Sequence, residues 1–121
     1  MGARVNFIFK NNEKGPWVSL YSHWGEDTWR HDLAIALEHA RPRWHDDSYF
    51  TRMVISKLIE GDIEGSTGYG IWALTPEILE GAYMDTPVVI DMVNRTIEGH
   101  SWESFITYEE ELFQHHDFSQ V

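Results

Sequence analysis

The chain contains no cysteine, which removes a disulfide framework, a thiolate nucleophile and every zinc site built on sulfur. Any metal centre would have to be assembled from His and carboxylate. No apolar run approaches the ~20 residues that span a bilayer, and the opening MGARVNFIFK lacks the long apolar region of a signal peptide. The expectation is a cytoplasmic protein with no membrane partner. Basic residues are scarce. Nine Lys and Arg against twenty Asp and Glu leave a formal net charge of -11, a field that repels nucleic acid backbones, so direct nucleic acid binding is not expected.

What is present is enough for a core. Hydrophobic residues make up 42% of the 121 positions and aromatics 14%, six of them Trp, far from the composition of a disordered chain and in the size range of one domain. The charge is unevenly placed. Arg30, Arg41, Arg43, Arg52 and Lys57 occupy the middle, while Glu98, Glu103, Glu109, Glu110, Glu111 and Asp117 crowd the end. That acid-rich end is a candidate surface for a protein partner, and the basic middle for a small anion.

Period-two alternation marks strands at 4–9 and 17–22, and Asn11, Asn12, Gly15 and Pro16 between them supply turn chemistry, so the two runs read as a hairpin. Pairing Asn6 with Tyr21 puts Val5, Phe7 and Phe9 on one face with Val18 and Leu20. The other face then carries Arg4, Asn6, Tyr21 and His23. After Gly25, the acids Glu26 and Asp27 suit a helix start. The stripe Trp29, Leu33, Leu37 and Ala40 predicts a helix to about residue 40, ended by Pro42. Asp47 or Ser48 is the expected cap of a second helix over 49–60, with Phe50, Met53, Val54, Ile55, Leu58 and Ile59 as its buried face.

Strands are predicted at 69–74 and 87–93, the latter turning at Asn94-Arg95 into an antiparallel partner at 96–100. Ser101 is the expected cap of a last helix from Trp102, with Phe105, Ile106, Tyr108 and Leu112 as apolar contacts. This order lacks the regular strand and helix alternation of a parallel sheet. It predicts a single α+β domain over 1–113, with about three mostly antiparallel strands after the two helices and a polar, frayed tail at 114–121.

Candidate chemistry concentrates at Tyr21-Ser22-His23-Trp24-Gly25, where a strand gives way to a helix. Backbone amides at a helix start attract anions, an imidazole exchanges a proton near neutral pH, and an indole stacks on planar groups. With Arg4 opposite His23, and with Tyr49 and Arg52 supplied by the second helix, these residues form a candidate ligand site for an anionic, planar molecule: Arg4, Tyr21, His23, Trp24, Tyr49 and Arg52. The competing reading makes Trp24 a core plug and Gly25 a simple turn. In the stretch 41–49, arginine forks and aromatic rings suit phosphate recognition, but Asp46 and Asp47 beside them suit a salt-bridged connector.

Catalytic signatures are missing. Ser22 and His23 are strand neighbours pointing to opposite faces, and no nucleophile elbow, phosphate-binding loop, dinucleotide fingerprint or His-Glu-x-x-His pattern occurs. Neither catalytic nor metal-ligating residues are assigned, and no cofactor is expected.

The opening Met1-Gly2-Ala3-Arg4, the hairpin end Tyr21-Ser22-His23-Trp24-Gly25, the stretch Ala40-Arg41-Pro42-Arg43-Trp44 and the helix over 49–55 together resemble small uncharacterised proteins of tailed bacteriophages and prophages. That resemblance covers most of the chain and implies a context, the cytoplasm of an infected host, without carrying an activity to any residue. Small acidic domains in that setting often bind and neutralise a target. The expected function is therefore a non-enzymatic phage accessory protein that antagonises a host protein or sequesters a small anionic ligand, with homo-oligomerisation allowed. A small hydrolase using His23 or a His and carboxylate metal site, and a virion or assembly component, are the alternatives.

Overall fold

In the computed structural model, which describes residues 4–23, 28–77 and 86–118 (the last from 113 onward as backbone), β1 (Val5–Lys10) and β2 (Trp17–Ser22) form the anticipated hairpin in the anticipated register. Asn6 faces Tyr21, Phe7 faces Leu20 and Phe9 faces Val18. Its turn is built on Asn12, whose Oδ1 accepts from the backbone N–H groups of Lys14 at 3.0 Å and Gly15 at 2.6 Å. Gly15 takes a positive φ of 77°, and a Cβ there would meet the Pro76 ring at 3.0 Å. The position thus suits glycine on both conformational and steric grounds.

Among the described residues, three α-helices lie against one face of the sheet. In α1 (Trp29–His39), Trp29, Leu33, Ala34, Ala36 and Leu37 are buried, which is the periodic stripe the sequence displays. The proposed acidic helix start at Glu26 and Asp27 lies outside the described residues. The second helix, α2, spans Asp47–Leu58, two residues earlier than the pattern suggests. Asp46 is the cap: its extended backbone lets the carboxylate accept from the N–H of Tyr49 at 3.3 Å, so Asp47 and Ser48 become first-turn helical residues. Its apolar face is also narrower than the pattern suggests. Only Phe50 and Val54 are buried, while Met53, Ile55, Leu58 and Ile59 are half-buried, because α2 flanks α1 and, among the described residues, no helix packs on its outer side.

After β3 (Tyr69–Leu74) and β4 (Pro87–Asp91), the anticipated strand at 96–100 is broken in two. The left-handed backbone of Glu98 and Gly99 reverses the chain, so β5 (Thr96–Ile97) pairs with β4 and β6 (His100–Ser101) pairs with β5. Ser101 caps α3 (Trp102–Phe118) by accepting from the N–H of Ser104 at 3.1 Å. Helical backbone therefore continues into the segment expected as a tail. On α3 the inward positions are Trp102, Phe105, Ile106 and Glu109; Tyr108 and Leu112, expected as contacts, are exposed. The inward set steps by three and four along the helix, and its fourth member is a carboxylate.

The sheet has the order β3-β2-β1-β4-β5-β6. All neighbouring strands are antiparallel except β1 and β4, which run parallel with Phe7 beside Val88 and Phe9 beside Ile90. The result is a single α+β domain with a mixed six-stranded sheet. Its main core joins Val5, Phe7, Phe9, Leu20, Val88 and Ile90 to the helices, and a smaller cluster of Ile8, Trp17 and Leu74 occupies the opposite face. At the centre of the helical layer, the rings of Phe50 and Trp102 stack at 4.5 Å with 4° between planes, and Trp44 meets Trp102 edge-on.

Phe50→Ala empties one side of that stack and is expected to cost about 3–5 kcal/mol, measured by urea unfolding. Trp102→Phe keeps the stack and deletes a buried indole N–H that has no partner among the described residues, so its cost should be clearly smaller. Equal costs would refute this account of the stack.

The turn after β4 depends on Asp91, whose carboxylate accepts from the N–H groups of Val93 at 3.0 Å and Asn94 at 2.9 Å and from the Asn94 side chain at 3.1 Å. Burial alone would raise its pKa. These three hydrogen bonds, with Lys10 nearby, outweigh burial and hold the carboxyl below its usual range. Its stabilising contribution is present above the ordinary Asp pKa of ~4 and is lost as pH falls through the lower folded value. Asp91→Ala should therefore cost about 1–2 kcal/mol at neutral pH and less in acid; a deficit unchanged with pH would overturn the assignment.

Candidate functional site

The five described residues of the six proposed as one ligand site separate into two groups. Continuing the hairpin register by one residue puts Arg4 across from His23, on the sheet face opposite the helices, beside Tyr21. The Tyr21 phenol and the His23 Nδ1 are hydrogen-bonded at 3.1 Å. Trp24 lies outside the described residues. Tyr49 and Arg52 are elsewhere, in the first half of α2, which packs toward the hairpin turn; Arg52 lies with Asn11 and Pro16. It is the far end of α2, at Leu58, that reaches Phe7 and Ser22. The docking that would let Tyr49 or Arg52 close over His23 thus has the helix running the opposite way, on the other face of the sheet.

The stretch 41–49 is an internally paired connector. Arg41 bridges Glu38 at 2.8 Å and Glu103 at 2.6 Å, and Arg43 approaches Asp46 at 3.8 Å. Hydrogen bonding from Arg41 holds the Glu38 carboxyl below its usual range. The rings are occupied as well. The Arg41 guanidinium lies over Trp44 and that of Arg43 over Tyr49, at 4.6 Å each, and the Trp44 indole donates to the Leu37 carbonyl at 2.9 Å. A base stacking on Tyr49 would have to displace Arg43.

The acid-rich end presents less free charge than its sequence suggests. Glu109 is 5% exposed, with Arg30 Nη1 at 3.9 Å, while Glu98 pairs with Arg30 and Glu103 with Arg41. Of the described carboxylates in that run, Glu110 and Glu111 are exposed and form no such pairing among the described residues.

Two concavities collect the remaining polar groups. A groove of about 530 Å³ runs between α2 and the β2–β3 side of the sheet. Its floor is Phe9, Val18 and Ile71, its wall includes Thr51 and Ile55, and Arg52 stands at its rim. The floor residues lie on the helix-facing side of their strands; Phe9 is buried under the helices, whereas Val18 and Ile71 are left exposed beside α2. Arg30, Arg41 and Arg43 are each paired with carboxylates, whereas the Arg52 guanidinium has one contact among the described residues, the Ser56 hydroxyl at 3.5 Å. Among the described residues proposed from sequence, only Arg52 belongs to this groove. Its floor escaped sequence reasoning because Val18 and Ile71 read as ordinary strand interior.

At the other end of α2, a pocket of about 150 Å³ is bounded by Ser22, Thr28, Asp32, Leu58 and Tyr69. Thr28 donates to Asp32 at 3.0 Å. Burial first, then the carboxylates of Asp32 and Asp62, push the Tyr69 phenol up, partly offset by its hydrogen bond with Ser22. The phenol is therefore held in its protonated form, and the pocket it shares with Ser22, Thr28 and Asp32 presents a few polar atoms. Ser22 and His23 point to opposite faces, as strand neighbours must. Among the described residues no group of three His, Asp or Glu is placed to hold a metal ion, and no helix is long and apolar enough to cross a membrane.

No protein-family model, curated protein or solved structure matches this chain.

A raised phenol pKa means that the folded state holds its proton more tightly. The corresponding stability is complete below the ordinary Tyr value of ~10 and is lost as pH rises through the folded value. Absorbance titration near 295 nm should show a late-ionising phenol that disappears in Tyr69→Phe, together with a shallower alkaline loss of stability. A late phase surviving that substitution would remove Tyr69 from this role.

Proposed function

We propose that this protein is a non-enzymatic binding domain that takes a small ligand with an apolar body and an anionic head in the groove between α2 and the β2–β3 side of the sheet. The observation that carries this reading is the pairing of an open apolar floor with a guanidinium at its rim that has no carboxylate partner among the described residues. A guanidinium presents a fork of donors to carboxylate or phosphate. In a chain of net charge -11, long-range attraction of an anion is unavailable, so the local cation and the apolar contact must supply the affinity.

The resemblance to small phage and prophage proteins would give such a binder a setting: it would act in an infected bacterium by withdrawing its ligand. An antagonist of a host protein is the neighbouring reading. It draws on the exposed carboxylates Glu110 and Glu111, a smaller surface than the one the groove provides.

Decanoate and decanol share an apolar body and differ in the head, which makes them suitable probes. Decanoate at ten times its Kd should stabilise the fold by about 1.4 kcal/mol, a rise in Tm of roughly 5 °C for a domain of this size. Decanol should do less, and Arg52→Gln should reduce the decanoate shift to the decanol level. Undiminished decanoate binding by Arg52→Gln would sink the reading, as would steady turnover of a decanoate ester in place of stoichiometric binding.

A further inference from the structure

Strand β3 closes one side of the sheet, and among the described residues nothing pairs with its outer edge. The opposite edge, β6, is two residues long, which is a common protection against edge-to-edge association. β3 has six residues, Tyr-Gly-Ile-Trp-Ala-Leu, without a charge or a proline. Ile71 and Trp72, on opposite faces of the strand, are 58% and 45% exposed. An unprotected apolar edge of this kind is a template for another strand.

We infer that the strand added here is β3 of a second copy of this chain, antiparallel across a two-fold axis through Ile71. Such an axis, perpendicular to the sheet, keeps the helix-covered faces of both copies on one side. It therefore matches odd-numbered residues with odd and even with even. Centred on Ile71, the pairing puts Tyr69 opposite Ala73, Gly70 opposite Trp72 and Ile71 opposite itself. Tyr69 and Trp72 thus each meet a small residue, and Ile71 packs on its own copy. A Cβ added at Gly70 would have no heavy atom within 4 Å, so the space above it is open to the indole of Trp72 from the second copy. Centring on Trp72 instead would bring two indoles together and leave Gly70 facing Leu74.

Charge supports a copy over a basic partner. β3 is neutral, so self-pairing sets no like charges opposite each other, and a basic strand would find no carboxylate on it. The repulsion between two chains of net charge -11 acts at longer range and is screened by salt. Six residues span about 20 Å, and an edge contact of that length without its side chains falls below the ~1,000 Å² of a permanent interface. Ile71 and Trp72 add apolar area on both faces, giving a reversible dimer. Since Ile71 is also groove floor, the two grooves approach one another at the axis.

Sedimentation equilibrium on the full chain without ligand tests the dimer separately from the groove reading. The expected result is a monomer–dimer equilibrium that tightens as salt is added. Ile71→Lys, which sets two ammonium groups against each other, should weaken it by about tenfold or more, and Val93→Lys, at another exposed site, should leave it unchanged. Because the chain has no cysteine, single-cysteine variants report the register. Under mild oxidation Ile71→Cys should cross-link to its own copy. Trp72→Cys should not, since its sulfur would face Gly70 and lie beyond disulfide reach of its counterpart. A chain monomeric up to its solubility limit, a dimer indifferent to Ile71→Lys, or cross-linking through Trp72→Cys in preference to Ile71→Cys would each overturn the inference.

Discussion

The structure depends on β1 being enclosed on every side. Val5, Phe7 and Phe9 lie under the helices, while Asn6 and Ile8 are buried on the opposite face. β2 hydrogen-bonds along one edge and β4 along the other. A strand in that position has no solvent-facing alternative, so a shift of one residue would exchange Phe7 and Phe9 for Asn6 and Ile8 in the main core. The register of the hairpin, the inclusion of β4 and the seat of α1 all follow from keeping that strand in place.

The helical layer is anchored from its other side by aromatic packing. Trp102 joins α3 to Phe50 of α2 and to Trp44 of the connector, and Arg41 ties the connector to both α1 and α3 through Glu38 and Glu103. The ion pairs are exposed and contribute little individually. Buried rings supply the energy, and the ion pairs orient the segment between α1 and α2. This also explains why the cationic and aromatic residues of that segment, which resemble a ligand site when read in isolation, are engaged with one another.

α2 covers only part of the sheet, and the same omission creates both the groove and the open strand. Among the described residues, α1 and α3 pack beside one another and α2 meets β3 near Tyr69 but leaves Ile71 on the helix-facing side of that strand largely exposed. Val18 and Ile71 are thereby left as an apolar floor at the end of the sheet where, among the described residues, the edge is also unpaired. A binding surface here requires no special motif. It arises because the described helices α1, α2 and α3 leave Val18 and Ile71 of the six-stranded sheet exposed.

Much of the fold was legible in the residues themselves. Alternation in β1 and β2 sets which side chains share a face, and that depends only on a period of two and the wish of Phe and Val to avoid water. The stripe of α1 and the cap at Ser101 are equally local. The boundaries of α2, the inward turn of Glu109 and the break between β5 and β6 were not legible, because each depends on a partner distant in the chain or on a backbone angle that composition does not reveal. The same distinction holds for the site. Sequence alone determined that Arg4 and His23 share a face, through the register of a single hairpin. Tertiary structure decided that Arg52 lies at the opposite end, that Arg43 covers Tyr49, and that β3 is an edge. The direction in which α2 crosses the sheet and the order of strands within it are settled by long-range packing, and no local pattern of side chains encodes either.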